Sequence, residues 1–198
     1  MSQSFIWAQE YLRWFLPNRV KAFAWSLSRY IQEAVKNLER QLDKKGVKLK
    51  RRINSPLSND YRPECDLSPE CNEENAHLYM SLIGVLRWIV ELGRIDLTVE
   101  VSMLSSYSAV PREGHMQQLL RIFAFIKNHH NRRLVFDPTY PVLDEEQFPR
   151  KNWSQYYDDL KEELPYDCPR SLGNEFVIQA FVDADFAGDC IARRSRTG

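Results

Sequence analysis

The spacing of apolar residues changes along the chain and predicts strands first and helices afterwards. Tyr11 to Phe15 and Val20 to Trp25 are rich in aromatic and branched residues, as β-strands are. They flank Leu16-Pro17-Asn18, where proline pre-sets one turn dihedral and asparagine tolerates an unusual one. The pattern predicts a β-hairpin.

From Ser28 the apolar residues recur at helical spacing. They are Ile31, Ala34, Val35, Leu38 and Leu42. Ser28 suits an N-cap, and Gly46 suits a C-terminal stop after two lysines. We therefore expect a helix between these two residues.

Residues 53–72 contain three prolines among polar residues and no periodicity, which predicts an extended linker. The most helical part follows, from about Glu74 to His129, in three pieces with Pro111 at the start of the third. Short connections between the pieces predict a packed three-helix bundle.

The remainder is less regular. Leu134 to Phe136 predicts a short strand. Residues 137–175 carry ten acids against four bases, which predicts an acidic irregular connector. Phe176 to Phe181 predicts a final strand. The whole pattern indicates an α+β fold: an N-terminal hairpin and helix, a central three-helix bundle, an acidic connector and a last strand.

Charge is distributed unevenly although the formal net charge is zero. Residues 13–52 carry 12 Lys or Arg against 3 acids, whereas residues 53–198 carry 15 against 23. Six cations end the basic part: Lys44, Lys45, Lys48, Lys50, Arg51 and Arg52. Such a run binds phosphates by releasing counterions, or it is simply a solvated surface.

Composition excludes several classes. No apolar run reaches the roughly 18 to 20 residues that cross a bilayer, and the start lacks a signal peptide, so we expect an intracellular protein without membrane contact. The cysteines form no CxxC pair, and the wide spacing of Cys65, Cys71 and His77 argues against zinc. We expect free thiols, and no small-molecule site is recognised.

Aromatic residues and histidines each allow two interpretations. Trp7, Trp14, Phe15, Phe23 and Trp25 could stack nucleic-acid bases, but core packing is the favoured role. His115, near a helix start, and His129 and His130, at a helix end, are interpreted as structural.

Several short motifs follow one another in a fixed order. They are Tyr79-Met-Ser-Leu-Ile-Gly84, Gly93-Arg-Ile-Asp96, Val101-Ser-Met-Leu-Ser-Ser106, Arg133-Leu-Val-Phe-Asp-Pro138 and Phe181-Val-Asp-Ala-Asp-Phe-Ala-Gly188. Together with Ala24-Trp25 through Asn37-Leu38, this order resembles the segment that links reverse transcriptase to RNase H in the polyproteins of copia-type LTR retrotransposons.

The resemblance implies a division of the chain. Residues 1–52 would be the end of the reverse transcriptase, 53–72 a linker, 73–136 the helical connection region, 137–175 the acidic connector and 176–198 the start of a truncated RNase H-like domain. It also implies an RNA/DNA template-primer as the partner, which the basic run would contact.

Alternation along a strand places Asp183 and Asp185 on one face, where two carboxylates could begin a magnesium site. By resemblance, Asp183 matches the first RNase H carboxylate, and the parent enzyme uses Mg²⁺ for phosphodiester hydrolysis. The polymerase aspartates and later RNase H carboxylates have no counterparts in this sequence, so we expect no bound metal and no activity of the chain alone.

Three interpretations remain open. The chain contributes nucleic-acid binding to a retrotransposon polymerase, it is a stand-alone nucleic-acid-binding or interaction module, or it is an inert relic of a retroelement.

Overall fold

A computed structural model describes residues 10–139, 154–157, 165–169, 189 and 191. The chain divides into two units, Met1–Pro138 and Thr139–Gly198. The described elements of the second unit reduce to one helical turn, α5 (Ser154–Tyr157). The described strands and the longer helices all belong to the first unit.

The predicted hairpin is confirmed by the antiparallel pairing of β1 (Glu10–Phe15) with β2 (Lys21–Ser26). Its turn is held by the Leu16 N–H, which donates to the Val20 carbonyl at 3.0 Å. The Asn18 side chain accepts from the Val20 N–H at 3.1 Å. Asparagine therefore serves the turn as its chemistry predicts.

A third strand, from a distant part of the chain, joins this sheet among the described residues. β3 (Arg133–Phe136) pairs antiparallel with β2 and gives the order β1-β2-β3. The predicted strand after the helices is thus confirmed, beginning one residue earlier than expected. Because β2 and β3 are neighbours, the helices between them begin and end beside the same sheet.

The first helix, α1 (Ser28–Lys44), corrects one detail of the sequence prediction. The capping residue is Leu27, which makes no side-chain cap, and Ser28 is already helical. The Ser28 hydroxyl instead hydrogen-bonds His130 Nδ1 at 2.7 Å, next to the end of the last helix of the unit. A serine at the start of a helical pattern can cap the helix or hydrogen-bond a residue distant in sequence. The Ser28 hydroxyl makes the distant bond.

The three predicted helical pieces are confirmed as α2 (Glu73–Glu91), α3 (Thr98–Ser105) and α4 (Glu113–Asn128). Asn72 caps α2, since its side chain accepts from the Asn75 N–H at 2.8 Å. Gly93 lies two residues after the end of α2 and has φ +136°, a backbone conformation that residues with side chains disfavour.

All four longer helices contribute to one core. Its fully buried members include Ile31, Leu38, Tyr79, Leu86, Ile89, Leu97, Leu104, Leu119, Ile122, Phe123 and Ile126. The Tyr79 hydroxyl donates to the Leu104 carbonyl at 2.7 Å, so this buried phenol is satisfied. α1 therefore packs into the same body as the predicted three-helix bundle.

Residues 53–72 are more firmly held than an extended linker. Ile53 and Pro63 are buried, and a 3₁₀ turn spans Pro63–Cys65. The Ser58 N–H donates to Gln118 Oε1 at 3.0 Å, and Arg121 donates to Ser55 Oγ at 2.9 Å. The absence of periodicity predicts an extended linker, but side-chain hydrogen bonds to α4 fix this segment.

The α+β class is confirmed at this coarse level. The acidic connector is described only in short pieces, and the predicted strand at 176–181 lies outside the described residues. The proposed domain boundaries therefore stay predictions. Among the described helices, none combines the length and apolar character that a membrane span requires.

Candidate nucleic-acid interface

The six-cation run begins where α1 ends in a glycine-terminated motif. The Val47 N–H donates to the Leu42 carbonyl at 3.0 Å, and the Gly46 N–H donates to the Asp43 carbonyl at 3.1 Å. Gly46 has φ +69°, the left-handed conformation that this pair of bonds requires. Gly46 thus stops the helix as predicted, and the chain turns sharply within the basic run.

The backbone after the turn is anchored while its cations point outward. Leu49 packs against the core and Ile53 is buried. The Asn128 side chain, at the end of α4, donates to the Arg51 carbonyl at 3.0 Å. The segment between the anchors is therefore positioned by the fold, which lowers the ordering cost of binding.

The structure separates the six cations into two groups. Lys45 Nζ lies 2.9 Å from Glu74 Oε1 and 2.9 Å from Asn75 Oδ1, so it ties the end of α1 to the start of α2. The other five are exposed: Lys44, Lys48, Lys50, Arg51 and Arg52. Within the described part of the chain these five have no acidic partner. We call them the basic ridge.

The basic ridge keeps a net positive charge even when the neighbouring acids are counted. Asp43 is the nearest acid in sequence, and two other acids of the neighbourhood are already paired, Glu74 with Lys45 and Glu39 with Lys127 at 2.6 Å. Exposed cations without counter-charges are stabilised by a polyanion, and they contact phosphates without reading bases.

The carboxylates predicted to begin a magnesium site, Asp183 and Asp185, lie outside the described residues. Within those residues no group of three or more His, Cys, Asp or Glu side chains is placed to hold a metal ion. Cys65 is exposed, while burial and the neighbouring Glu113 carboxylate raise the pKa of the Cys71 thiol. That thiol is thereby kept protonated and weakly nucleophilic.

The favoured core role of the aromatic cluster is wrong for three of its members, Trp14, Phe15 and Phe23, which are exposed. Phe15 and Phe23 are 61% and 64% exposed, whereas Trp25 is half-buried. Trp14 is partly exposed and carries the Arg133 guanidinium 4.7 Å above its ring. Trp7 lies outside the described residues. Phe15, Phe23 and Trp14 are thus at the surface, although not on one face of the sheet, and strand composition alone does not reveal this exposure.

His115 serves the fold, as the sequence indicated. It is buried, its Nε2 lies 3.0 Å from the Pro63 carbonyl, and its Nδ1 accepts from the Arg112 N–H at 3.1 Å. The geometry assigns the proton to Nε2, since Nδ1 must accept. Both ring nitrogens are used by the fold, so the ring has no free nitrogen for catalysis.

Sequence reasoning missed how residues 66–70 cap α4. The Gly114 N–H donates to Ser68 Oγ at 2.8 Å, and the Glu113 N–H donates to the Pro69 carbonyl at 2.9 Å. Asp66 in turn accepts from the Ser68 hydroxyl and N–H. Donors at the start of a helix need such partners, but these come from more than 40 residues away.

Comparison with known proteins adds no family to these observations, because no family model and no solved structure matches the chain.

Proposed function

We propose that this chain binds the sugar-phosphate backbone of an RNA–DNA template-primer through the basic ridge, as part of a copia-type retrotransposon reverse transcriptase. The observation that carries the proposal is the ridge itself: five exposed cations, unpaired within the described residues, on a backbone anchored by Leu49, Ile53 and Asn128. The order of the motifs from Tyr79 to Gly188, which resembles that of copia-type polyproteins, supports the family named in the proposal.

The arrangement suits a backbone contact better than base recognition. Lysines and arginines spread over nine residues present point charges and forks to phosphates, and phosphate contacts give affinity without sequence preference. The ridge would therefore hold a template-primer regardless of its sequence, which is what a polymerase requires. The role is positioning, and catalysis would belong to other parts of the parent enzyme.

Two finer parts of the proposal rest on the resemblance alone. Residues 176–198 would open an RNase H-like domain, and Asp183 would be its first metal-binding carboxylate, with Asp185 as a less certain neighbour. In the parent enzyme Mg²⁺ would supply activation of water for phosphodiester hydrolysis.

The test is the salt dependence of binding to an RNA–DNA hybrid duplex, measured by fluorescence anisotropy. The full chain should bind at low salt and weaken steeply as salt rises. Each lost phosphate contact should reduce the magnitude of the log–log slope by about 0.9. Charge reversal of Lys48, Lys50, Arg51 and Arg52 together should remove most of the binding, and more than Asp183→Asn removes.

A matched control separates the ridge from overall charge. The double variant K48E/K50E changes the net charge as much as K36E/R87E, whose exposed cations lie in the middle of α1 and near the end of α2. Only the first should reduce affinity and slope strongly. Equal effects of the two doubles, equal effects of the quadruple variant and Asp183→Asn, or no binding at low salt would each contradict the proposal.

A further inference from the structure

The open face of the three-stranded sheet combines aromatic rings with cations. Side chains alternate across a strand, and the pairing register sorts the strands into two faces. Ala22, Ala24 and Ser26 of β2 are buried on one face. The other face, which we call the outer face, carries Tyr11, Arg13, Phe15, Lys21, Phe23, Trp25, Leu134 and Phe136.

These residues form three rows across the sheet. Tyr11 stands opposite Trp25, Arg13 opposite Phe23, and Phe15 opposite Lys21, while Phe136 extends the second row beside Phe23. Successive rows on one face are about 7 Å apart along the strands. Each row therefore offers at least one ring, and two rows set a cation directly beside it.

The rings are presented to solvent. Tyr11 is 67% exposed, and Phe136 is 42% exposed. Trp25 is held from both sides, with its ring centroid 5.7 Å from that of Tyr11 and 4.6 Å from that of Phe136, both edge-to-face. Such contacts restrain the Tyr11 ring, so less conformational entropy is lost when a base stacks on it.

The charges of the outer face favour nucleic acid over protein as its partner. Among the described residues, the outer face holds Arg13 and Lys21 and no acid, because Glu10 stands opposite Ser26 and belongs to the other face. Protein–protein interfaces are enriched in aromatic residues and arginine but depleted of lysine, so Lys21 and the absence of acids on this face favour a polyanion over a protein. A single strand of nucleic acid, by contrast, pairs stacking bases with phosphates, and sheet-borne aromatics stack two or three bases in common RNA-binding modules.

We infer that the outer face is a second nucleic-acid site, which binds unpaired bases by stacking on Phe15, Phe23 and Tyr11, with Arg13 and Lys21 neutralising the adjoining phosphates. It is distinct from the basic ridge: α1 begins two residues after β2, and its 17 residues extend roughly 25 Å before the ridge. The basic ridge would bind a sugar-phosphate backbone, whereas the outer face would bind unstacked bases.

The test compares three ligands on the full chain by fluorescence anisotropy: an oligothymidylate, an abasic oligomer of the same length, and an RNA–DNA hybrid duplex. The full chain should bind oligothymidylate more tightly than the abasic oligomer. The variant F15L/F23L keeps apolar side chains but removes two rings, and it should bind oligothymidylate about fivefold or more weakly. It should bind the other two ligands as the unaltered chain does.

Phe23→Trp retains a ring and serves as the conservative control, so it should keep the affinity for oligothymidylate. The ridge variant K48E/K50E reports separately on the hybrid duplex, so failure of one site is distinguishable from failure of the other. The inference is overturned if the unaltered chain does not prefer oligothymidylate to the abasic oligomer, or if F15L/F23L binds oligothymidylate unchanged. A dimer in sedimentation that F15L/F23L dissociates would equally overturn it, because a second copy would then cover the face.

Discussion

Arg94 and Asp96 form a bidentate ion pair at the exit from α2, with Nε 2.8 Å from Oδ1 and Nη2 3.0 Å from Oδ2. The arginine is only 2% exposed. Its remaining Nη1 donates to the His129 carbonyl at the end of α4, at 3.2 Å. Arg132 Nη1 approaches the same carboxylate at 3.1 Å. One short motif thus joins two helix ends beside the sheet.

Removing the carboxylate should strongly destabilise the first unit. Asp96→Ala leaves the Arg94 guanidinium buried without its counter-charge, and breaking such a pair costs about 3 kcal/mol. Urea unfolding followed by circular dichroism measures the loss. Asp43→Ala removes an exposed carboxylate and should change the free energy of unfolding by less than about 0.5 kcal/mol. Equal stabilities of the two variants would show that the pair contributes nothing.

The same carboxylate should contribute to acid sensitivity. Burial acts to raise the pKa of Asp96, but hydrogen bonds and charge from Arg94, then Arg132, lower it below its ordinary value. A carboxyl pKa that is lower in the folded state adds stability above the unfolded value of about 3.9 and loses it as pH falls through the folded value. Unfolding free energies should therefore decline below about pH 5, and less steeply in Asp96→Asn. An unchanged slope in that variant would contradict the assignment.

Gly114 lies where an added side chain would collide with a neighbouring side chain. A Cβ at this position would overlap the Asp66 carboxylate, which is held by Ser68 and by the Tyr61 hydroxyl at 3.0 Å. Gly114→Ala should cost about 1–3 kcal/mol, as overpacking does. Gly84→Ala, on α2 with open space around it, should instead stabilise by about 0.5–1 kcal/mol.

Thermal unfolding should show opposite shifts in Tm, downward for Gly114→Ala and upward for Gly84→Ala. Asp66→Ala should partly relieve the cost of Gly114→Ala, so the double variant should be more stable than the sum of the two single changes allows. Strict additivity, or equal shifts for Gly84→Ala and Gly114→Ala, would argue against a steric role for this contact.

Local patterns predicted the elements because their causes are local. The hairpin follows from two strand-like runs around Pro17-Asn18, and the end of α1 follows from Gly46, whose φ is positive as expected. Helical periodicity likewise placed α2, α3 and α4. Each of these features depends on residues a few positions apart, which is the distance at which single-sequence reasoning works.

The arrangement of the site was less predictable because it depends on contacts between residues that are distant in sequence. The run of cations was evident, but the pairing of Lys45 with Glu74 is a contact between two helices. Exposure of Phe23 depends on which sheet face is covered, and the alternation of β2 does not specify this. Residues 66–70 cap α4 through tertiary contacts, which no local capping signal reports.

Ser28 and Asn72 test the distinction between a local cap and a tertiary contact. Asn72→Ala removes the α2 cap and should cost about 1 kcal/mol in any background. Ser28→Ala should destabilise only through His130, so it should cost little once His130→Ala is present. A double-mutant cycle by urea unfolding measures this coupling. If Ser28→Ala costs the same with and without His130, the serine acts as a cap after all.

The two groups of cations should differ when they are changed one at a time. Lys50 is exposed and unpaired within the described residues, so Lys50→Ala should weaken hybrid-duplex binding and reduce the magnitude of the salt slope by about 0.9. Lys45 is engaged by Glu74 and Asn75, so Lys45→Ala should leave the slope nearly unchanged and lower stability by about 0.2–1 kcal/mol instead. Anisotropy titrations at several salt concentrations, with urea unfolding of the same samples, separate the two effects. If Lys45→Ala reduces the slope as much as Lys50→Ala does, the ion pair to α2 opens on binding and the ridge includes all six cations.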